Sequence, residues 1–122
     1  MKILIVDDSR AMRMIVKRTL RQAGYGGHDV VEASNGAEAF DIIQGGGVNL
    51  VLCDWNMPEM SGIELLKKLK AHGSRVPFGF ITSEGSAEKR AMAAEAGALF
   101  LLTKPFSADH IATVFEQAKL AS

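Results

Sequence analysis

Five short apolar runs divide this chain, and within each run nearly every residue is apolar rather than every second one. They occupy residues 3–6, 30–31, 48–53, 78–81 and 99–102. A strand with one wet face alternates apolar and polar side chains, whereas a strand covered on both faces does not. Helical spacing fills the intervals. Met12, Ile15, Val16, Thr19 and Leu20 recur at that spacing between Ser9 and about Ala23. Asn35 and Glu38 are spaced to cap a helix running to about Gln44, where Gly45-Gly46-Gly47 stops it. Ser61 and Glu64 repeat the spacing ahead of Ile63, Leu66 and Leu69. Residues 87–96 are alanine-rich, with Glu88 in the first turn, where the helix dipole favours an anion. Ser107 is placed to cap a last helix with Ile111, Val114, Phe115 and Ala118 inward, fraying at Ala121-Ser122.

Five strand–helix units in series predict an α/β fold. The expected form is a doubly wound five-stranded parallel sheet with right-handed crossovers and helices on both faces. Strand order 2-1-3-4-5, the flavodoxin-like (βα)5 arrangement, places strands one and three side by side at the switch point. Residues 1–122 read as a single domain, with no linker, repeat or second domain.

Composition narrows the function classes. Lys+Arg and Asp+Glu both number 14, so the formal net charge is zero. Broad electrostatic binding to nucleic acid or an anionic membrane is not expected. Cys53 is the one cysteine, so no internal disulfide forms and a reducing cytoplasm is expected. No apolar run approaches the ~20 residues of a membrane span. The amino terminus turns acidic too soon for a signal peptide.

The polar residues just past the runs carry the chemistry. Asp7-Asp8 succeeds the first, Asp54 the third, Thr82 the fourth, and Lys104 lies just past the fifth. The second ends in Ala33-Ser34 and contributes nothing evident. Ligands of open parallel sheets sit beyond the carboxyl ends of the strands. The topology therefore gathers three carboxylates, a hydroxyl and an ammonium at one rim. Carboxylates so close repel unless a cation binds, and Mg2+ suits all-oxygen donors. Singly, Asp7-Asp8 reads as turn or cap chemistry, the segment from Asp54 to Pro58 as a polar loop, and Lys104-Pro105 as a solvated turn. Their common register on successive strands favours a site.

Four segments, Val6-Asp7-Asp8-Ser9, Asp54-Trp55-Asn56-Met57-Pro58-Glu59-Met60-Ser61-Gly62, Ile81-Thr82-Ser83-Glu84 and Thr103-Lys104-Pro105-Phe106, closely resemble the receiver domain of two-component response regulators. The resemblance covers the whole chain and is greatest to the single-domain chemotaxis regulators, which carry no output domain. It implies Asp54 as phosphoacceptor. Asp7 and Asp8 would hold Mg2+ with Asp54, Asp8 directly and Asp7 largely through water. The Asn56 backbone carbonyl would be a further ligand. Thr82 would bond a phosphoryl oxygen, and Lys104 would pair first with Asp54 and then with the phosphoryl group. The Lys104-Pro105 bond would be cis. Asn56 and Glu84 stand where the family tunes hydrolysis, and imply a short-lived phosphorylated state. The implied donor is a sensor histidine kinase, the receiver of the signal an output protein of unknown identity, and the protein itself a cytoplasmic monomer. It would catalyse its own phosphotransfer and autodephosphorylation without being a conventional enzyme.

Two positions depart from the family pattern. Three residues before Lys104, where most receivers have an aromatic switch residue, stands Leu101. Phe100 is adjacent, but a one-residue offset reverses the face of a strand side chain. Ser83 replaces a common alanine. Trp55 is expected to be partly exposed. Cys53 should pack in the core, and Met57 and Met60 are loop plugs, partner contacts or core filling. His28, His72 and His110 are too scattered for a metal site. Arg10, Arg13, Lys17, Arg18 and Arg21 form either a kinase-docking or a solvated face. Competing functions are a phosphorelay intermediate feeding a histidine phosphotransfer protein, a flavin carrier, an aspartyl-phosphate phosphatase and a constitutive interaction domain. The flavin carrier is opposed by Asp7-Asp8, which would repel a flavin phosphate. The phosphatase is opposed by Asn56, where those enzymes have a second carboxylate.

Overall fold

The computed structural model describes residues 1–119. The expected fraying at Ala121-Ser122 lies outside the described residues. Among the described residues the apolar runs form five parallel strands: β1 (Lys2–Val6), β2 (Asp29–Ala33), β3 (Leu50–Asp54), β4 (Phe78–Thr82) and β5 (Phe100–Thr103). Their order is 2-1-3-4-5, as the alternating pattern predicts. Helices α1 (Arg10–Leu20), α2 (Gly36–Gln44), α3 (Gly62–Ala71), α4 (Ala87–Ala96) and α5 (Ala108–Gln117) connect and cover them. Among the described residues, no helix is long and apolar enough to cross a membrane.

Burial on both faces explains the unbroken apolar runs. Val6, Val51, Cys53, Phe80 and Leu101 face one layer with Leu66 and Leu69 of α3. Ile3, Ile5, Leu52 and Leu102 face the other, against Val16 and Leu20 of α1 and Ile111 and Phe115 of α5. Each fully buried Leu, Ile or Phe contributes about 1.5–3 kcal/mol by leaving water. Gly79 of β4 has no side chain, and the Phe100 ring of β5 lies across it where a Cβ would be.

Caps fix where the helices begin. Ser9 accepts from Met12 N–H at 3.2 Å and Asn35 from Glu38 N–H at 2.8 Å. Ser61 and Glu64 form the expected capping box, and Ser107 caps α5. Each such cap stabilises its helix by about 1 kcal/mol.

Three expectations need correction. Ile15 is 44% exposed, because the inward stripe of α1 runs Met12, Val16, Leu20 in steps of four. The first helix does not run evenly to Ala23. It passes at Arg21 into one wider π-type turn, Arg21–Tyr25, in which Gly24 takes φ 95°. Only glycine adopts that conformation without strain, and Tyr25 thereby packs edge-on against Phe115 at 4.6 Å. Leu99 precedes β5 and is 48% exposed. Its N–H joins the ladder by donating to the Phe78 carbonyl at 2.8 Å, while its side chain stays outside.

Candidate functional site

Register brings the polar residues together. Val6 of β1 is level with Cys53 of β3, so Asp7, one residue on, comes level with Asp54. Asp54 pairs with Ile81 and Thr82 with Thr103, which leaves Lys104 just beyond the rim. The Lys104 N–H donates to the Thr82 carbonyl at 2.8 Å, which ties the last two members together. The Lys104-Pro105 peptide is cis, as the resemblance implies.

The carboxylates converge. One oxygen each from Asp7, Asp8 and Asp54 lies within 4.8 Å of the other two. Asp7 and Asp54 are buried, while Asp8 faces solvent. The Lys104 ammonium stands 3.5 Å from both Asp54 Oδ1 and Asp7 Oδ2, so it bridges two acids rather than one. The second Asp7 oxygen accepts the Ser9 N–H at 2.9 Å. Three hard anionic donors of this kind fit a hard divalent cation such as Mg2+, which keeps several of its own waters.

Burial pushes the Asp54 carboxyl above its ordinary value. Lys104 opposes that shift, the Asp7 charge adds to it, and the Trp55 N–H bond counteracts it. Asp54 is thus an acid that burial and a like charge hold ready for a compensating cation. Cys53, one residue earlier, faces the opposite layer. Its thiol is pushed well up by burial and then by the Asp54 and Asp7 charges, and it is a free, inert core residue.

Thr82 is fully buried, and its Oγ1 accepts the Glu84 N–H at 3.3 Å. Asn56, Ser83 and Glu84 are exposed on the two loops beside the acceptor. Gly62, at the start of α3, donates its N–H to the Trp55 carbonyl at 2.8 Å, and a Cβ there would strike the Asp54 carbonyl. That close approach folds the Asp54 loop back and buries Trp55, which is 6% exposed rather than partly open as expected. The Trp55 ring packs on Phe80 at 4.8 Å.

At the departing position, Leu101 is buried in the layer with Phe80, and Phe100 faces the other layer against Phe115. β5 pairs continuously with β4, without a bulge, so Phe100 does not take the place of the missing aromatic. Met57 is buried, and Met60 packs on Gly36. The histidines are apart. His28 stacks on Tyr25, His72 meets Phe40 edge-on, and His110 lies in the α5 cap. The basic face of α1 is partly paired, since Arg13 and Lys17 both reach Glu32, at 2.9 and 3.4 Å. Those bonds hold the Glu32 carboxyl low against the opposing effect of burial. Sequence reasoning missed one neighbour of the site: Lys89, whose ammonium lies 3.2 Å from Glu84 and 5.4 Å over the Trp55 ring. Glu84 and Lys89 are five residues apart, outside the spacing of a helical ion pair, so the sequence carried no signal for it.

Comparison with known proteins agrees with this geometry. The response regulator receiver domain model matches residues 3–116. A chemotaxis protein CheY homolog of Campylobacter jejuni is 42% identical over 110 residues, covering 88% of this chain and 83% of that protein. Chemotaxis protein CheY1 of Helicobacter pylori is 41% identical over 110 residues, covering 88% and 87%. The solved structure of chemotaxis protein CheY4 from Vibrio cholerae superposes with a TM-score of 0.83 at 32% identity, covering 96% of this chain and 97% of that one. The receiver domain of Francisella response regulator 1452 gives 0.83 at 29%, covering 97% and 96%.

Proposed function

The chain belongs to the response regulator receiver family, and on that premise we propose that it is a phosphorylation-dependent switch of a two-component system with Asp54 as acceptor. The observation that carries the reading is the meeting of the Lys104 ammonium with Asp54 at 3.5 Å beside a cluster of three acids. A sensor histidine kinase is the donor, an output protein of unknown identity receives the signal, and chemotaxis is the pathway.

Asp7, Asp8, Asp54 and the Asn56 carbonyl would hold Mg2+, whose charge would offset the carboxylates and the phosphoryl oxygens. An Asp54 oxygen forms a bond to phosphorus as the phosphorus–nitrogen bond of phosphohistidine breaks, and the imidazole leaves with the electron pair. Phosphoryl transfer depends on in-line placement and charge stabilisation more than on acid–base steps. Lys104 supplies positive charge on one side, and Thr82 donates its hydroxyl to a phosphoryl oxygen. The protein so acts as catalyst of its own modification and is not a conventional enzyme. Glu84 and Asn56 set how soon water removes the phosphoryl group as inorganic phosphate.

Trp55 adjoins the acceptor and reports on it. Its fluorescence is expected to change when Mg2+ is added and again with beryllofluoride, and Asp54→Ala is expected to abolish the second change. Equal responses from both proteins would remove Asp54 from the role of acceptor. Leu101 at the switch position supports a second reading, a phosphorelay intermediate. Rapid return of the phosphoryl group to a histidine phosphotransfer protein would favour it over binding to a flagellar switch protein.

A further inference from the structure

The lifetime of phosphorylated Asp54 depends on how water reaches it, and a residue outside the acidic cluster bears on that approach. Lys89 lies in the first turn of α4, with its N–H donating to Ser86 Oγ at 3.1 Å. From there its ammonium reaches Glu84 Oε2 at 3.2 Å and stands 5.4 Å above the Trp55 ring. Trp55 directly follows Asp54, and Glu84 lies two residues after Thr82. Lys89 therefore links the two loops that flank the acceptor. The partners are unequally held: the Lys89 side chain is 20% exposed and that of Glu84 71%. Trp55 is fixed against Phe80. Among the described residues, Lys89 is the one cation paired with the Glu84 carboxylate.

Resting on the reading of Asp54 as acceptor, we propose that Lys89 is a positioning residue that holds Glu84 aside from the path of water and keeps the acyl phosphate short-lived. In hydrolysis the water oxygen bonds to phosphorus and the bond from phosphorus to the Asp54 oxygen breaks. Aspartate leaves with that electron pair, and the protons of water pass to the released phosphate and to solvent. The attacking water arrives in line, opposite the Asp54 oxygen, from the solvent side. Glu84 borders that approach: its N–H donates to Thr82 Oγ1 at 3.3 Å, and its side chain is largely exposed. Without its partner it is a hydrated anion that sweeps the approach and opposes an already negative phosphoryl group. Paired with Lys89 it is neutralised and turned toward α4. An exposed ion pair is weak, and the aromatic face under the ammonium strengthens it only modestly, so the effect is a few-fold one.

The test uses the full chain, phosphorylated with acetyl phosphate and Mg2+ and then desalted, with release of inorganic phosphate followed in Mg2+ buffer. Lys89→Met is expected to slow the first-order release about threefold, in keeping with a weak surface pair. Lys89→Arg restores the rate, and in a Glu84→Ala background Lys89→Met changes nothing further. An unchanged rate in Lys89→Met, or equal slowing with and without Glu84, overturns the inference. A wild-type chain that takes up no phosphoryl group, or an Asp54→Ala chain that takes it up equally, overturns the underlying reading instead.

Discussion

The middles of the strands and their carboxyl ends follow opposite rules. In the middles, Ile5, Leu52 and Phe80 are fully buried and apolar, with polar atoms only in the paired backbone. At the ends, Asp7, Asp54 and Thr82 are buried nearly as deeply, at 4%, 9% and 0% exposure. Burial of an apolar side chain stabilises, and burial of a carboxylate without a full complement of partners destabilises. The fold therefore places its least comfortable groups one residue beyond its most stabilising ones. Strand alternation makes this possible: Cys53 turns into the core while its neighbour Asp54 turns to the site. The rim is strained by charge because the middles can hold it.

The comparison can be broken first at the middle. Phe80→Ala is expected to cost about 3–5 kcal/mol in urea unfolding, as a large buried ring replaced by a cavity. A loss under about 1 kcal/mol would mean that the core is not what holds the rim. At the ends the sign reverses. Mg2+ at a hundred times its dissociation constant should stabilise the protein by about 2.7 kcal/mol, read as a rise in melting temperature. Asp8→Asn should lose most of that rise.

The smallest effect is also the most diagnostic. In metal-free buffer Asp54→Asn is expected to be more stable than the wild type, by about 1 kcal/mol, the usual scale of a single-site change. The sign comes from proton binding. Burial lifts the folded Asp54 above its unfolded value, so between the two values the folded state holds the proton and the unfolded state has lost it. Stability falls as pH rises through that interval. The advantage of Asp54→Asn is therefore full above the folded value and vanishes below the ordinary carboxylate range. Urea midpoints across acidic pH measure it, and an advantage independent of pH would contradict the account.

How much of this was legible in sequence depended on range along the chain. The strands were legible because burial on both faces leaves an unbroken apolar run, and Asp54 and Thr82 because each closes such a run. The caps at Asn35, Ser61 and Ser107 were legible because they act over three residues. Burial of Trp55 was not, since it depends on Gly62 drawing α3 against the Asp54 loop. Nor was the pairing of Arg13 and Lys17 with Glu32, which needs α1 laid beside β2. Leu99 misled because an apolar residue can pair its backbone while its side chain stays in water. Lys89 was hidden for a similar reason, because its role shows only when two loops are seen in space.

Gly79 and Phe100 carry a consequence for how this sequence can vary. The ring occupies the room a side chain at 79 would need. Any residue larger than glycine at 79 collides with it, and shrinking residue 100 alone opens a void over β4. The two positions form a lock and its wedge, so they can drift only as a couple. A descendant chain with alanine at 79 should carry a smaller partner at 100.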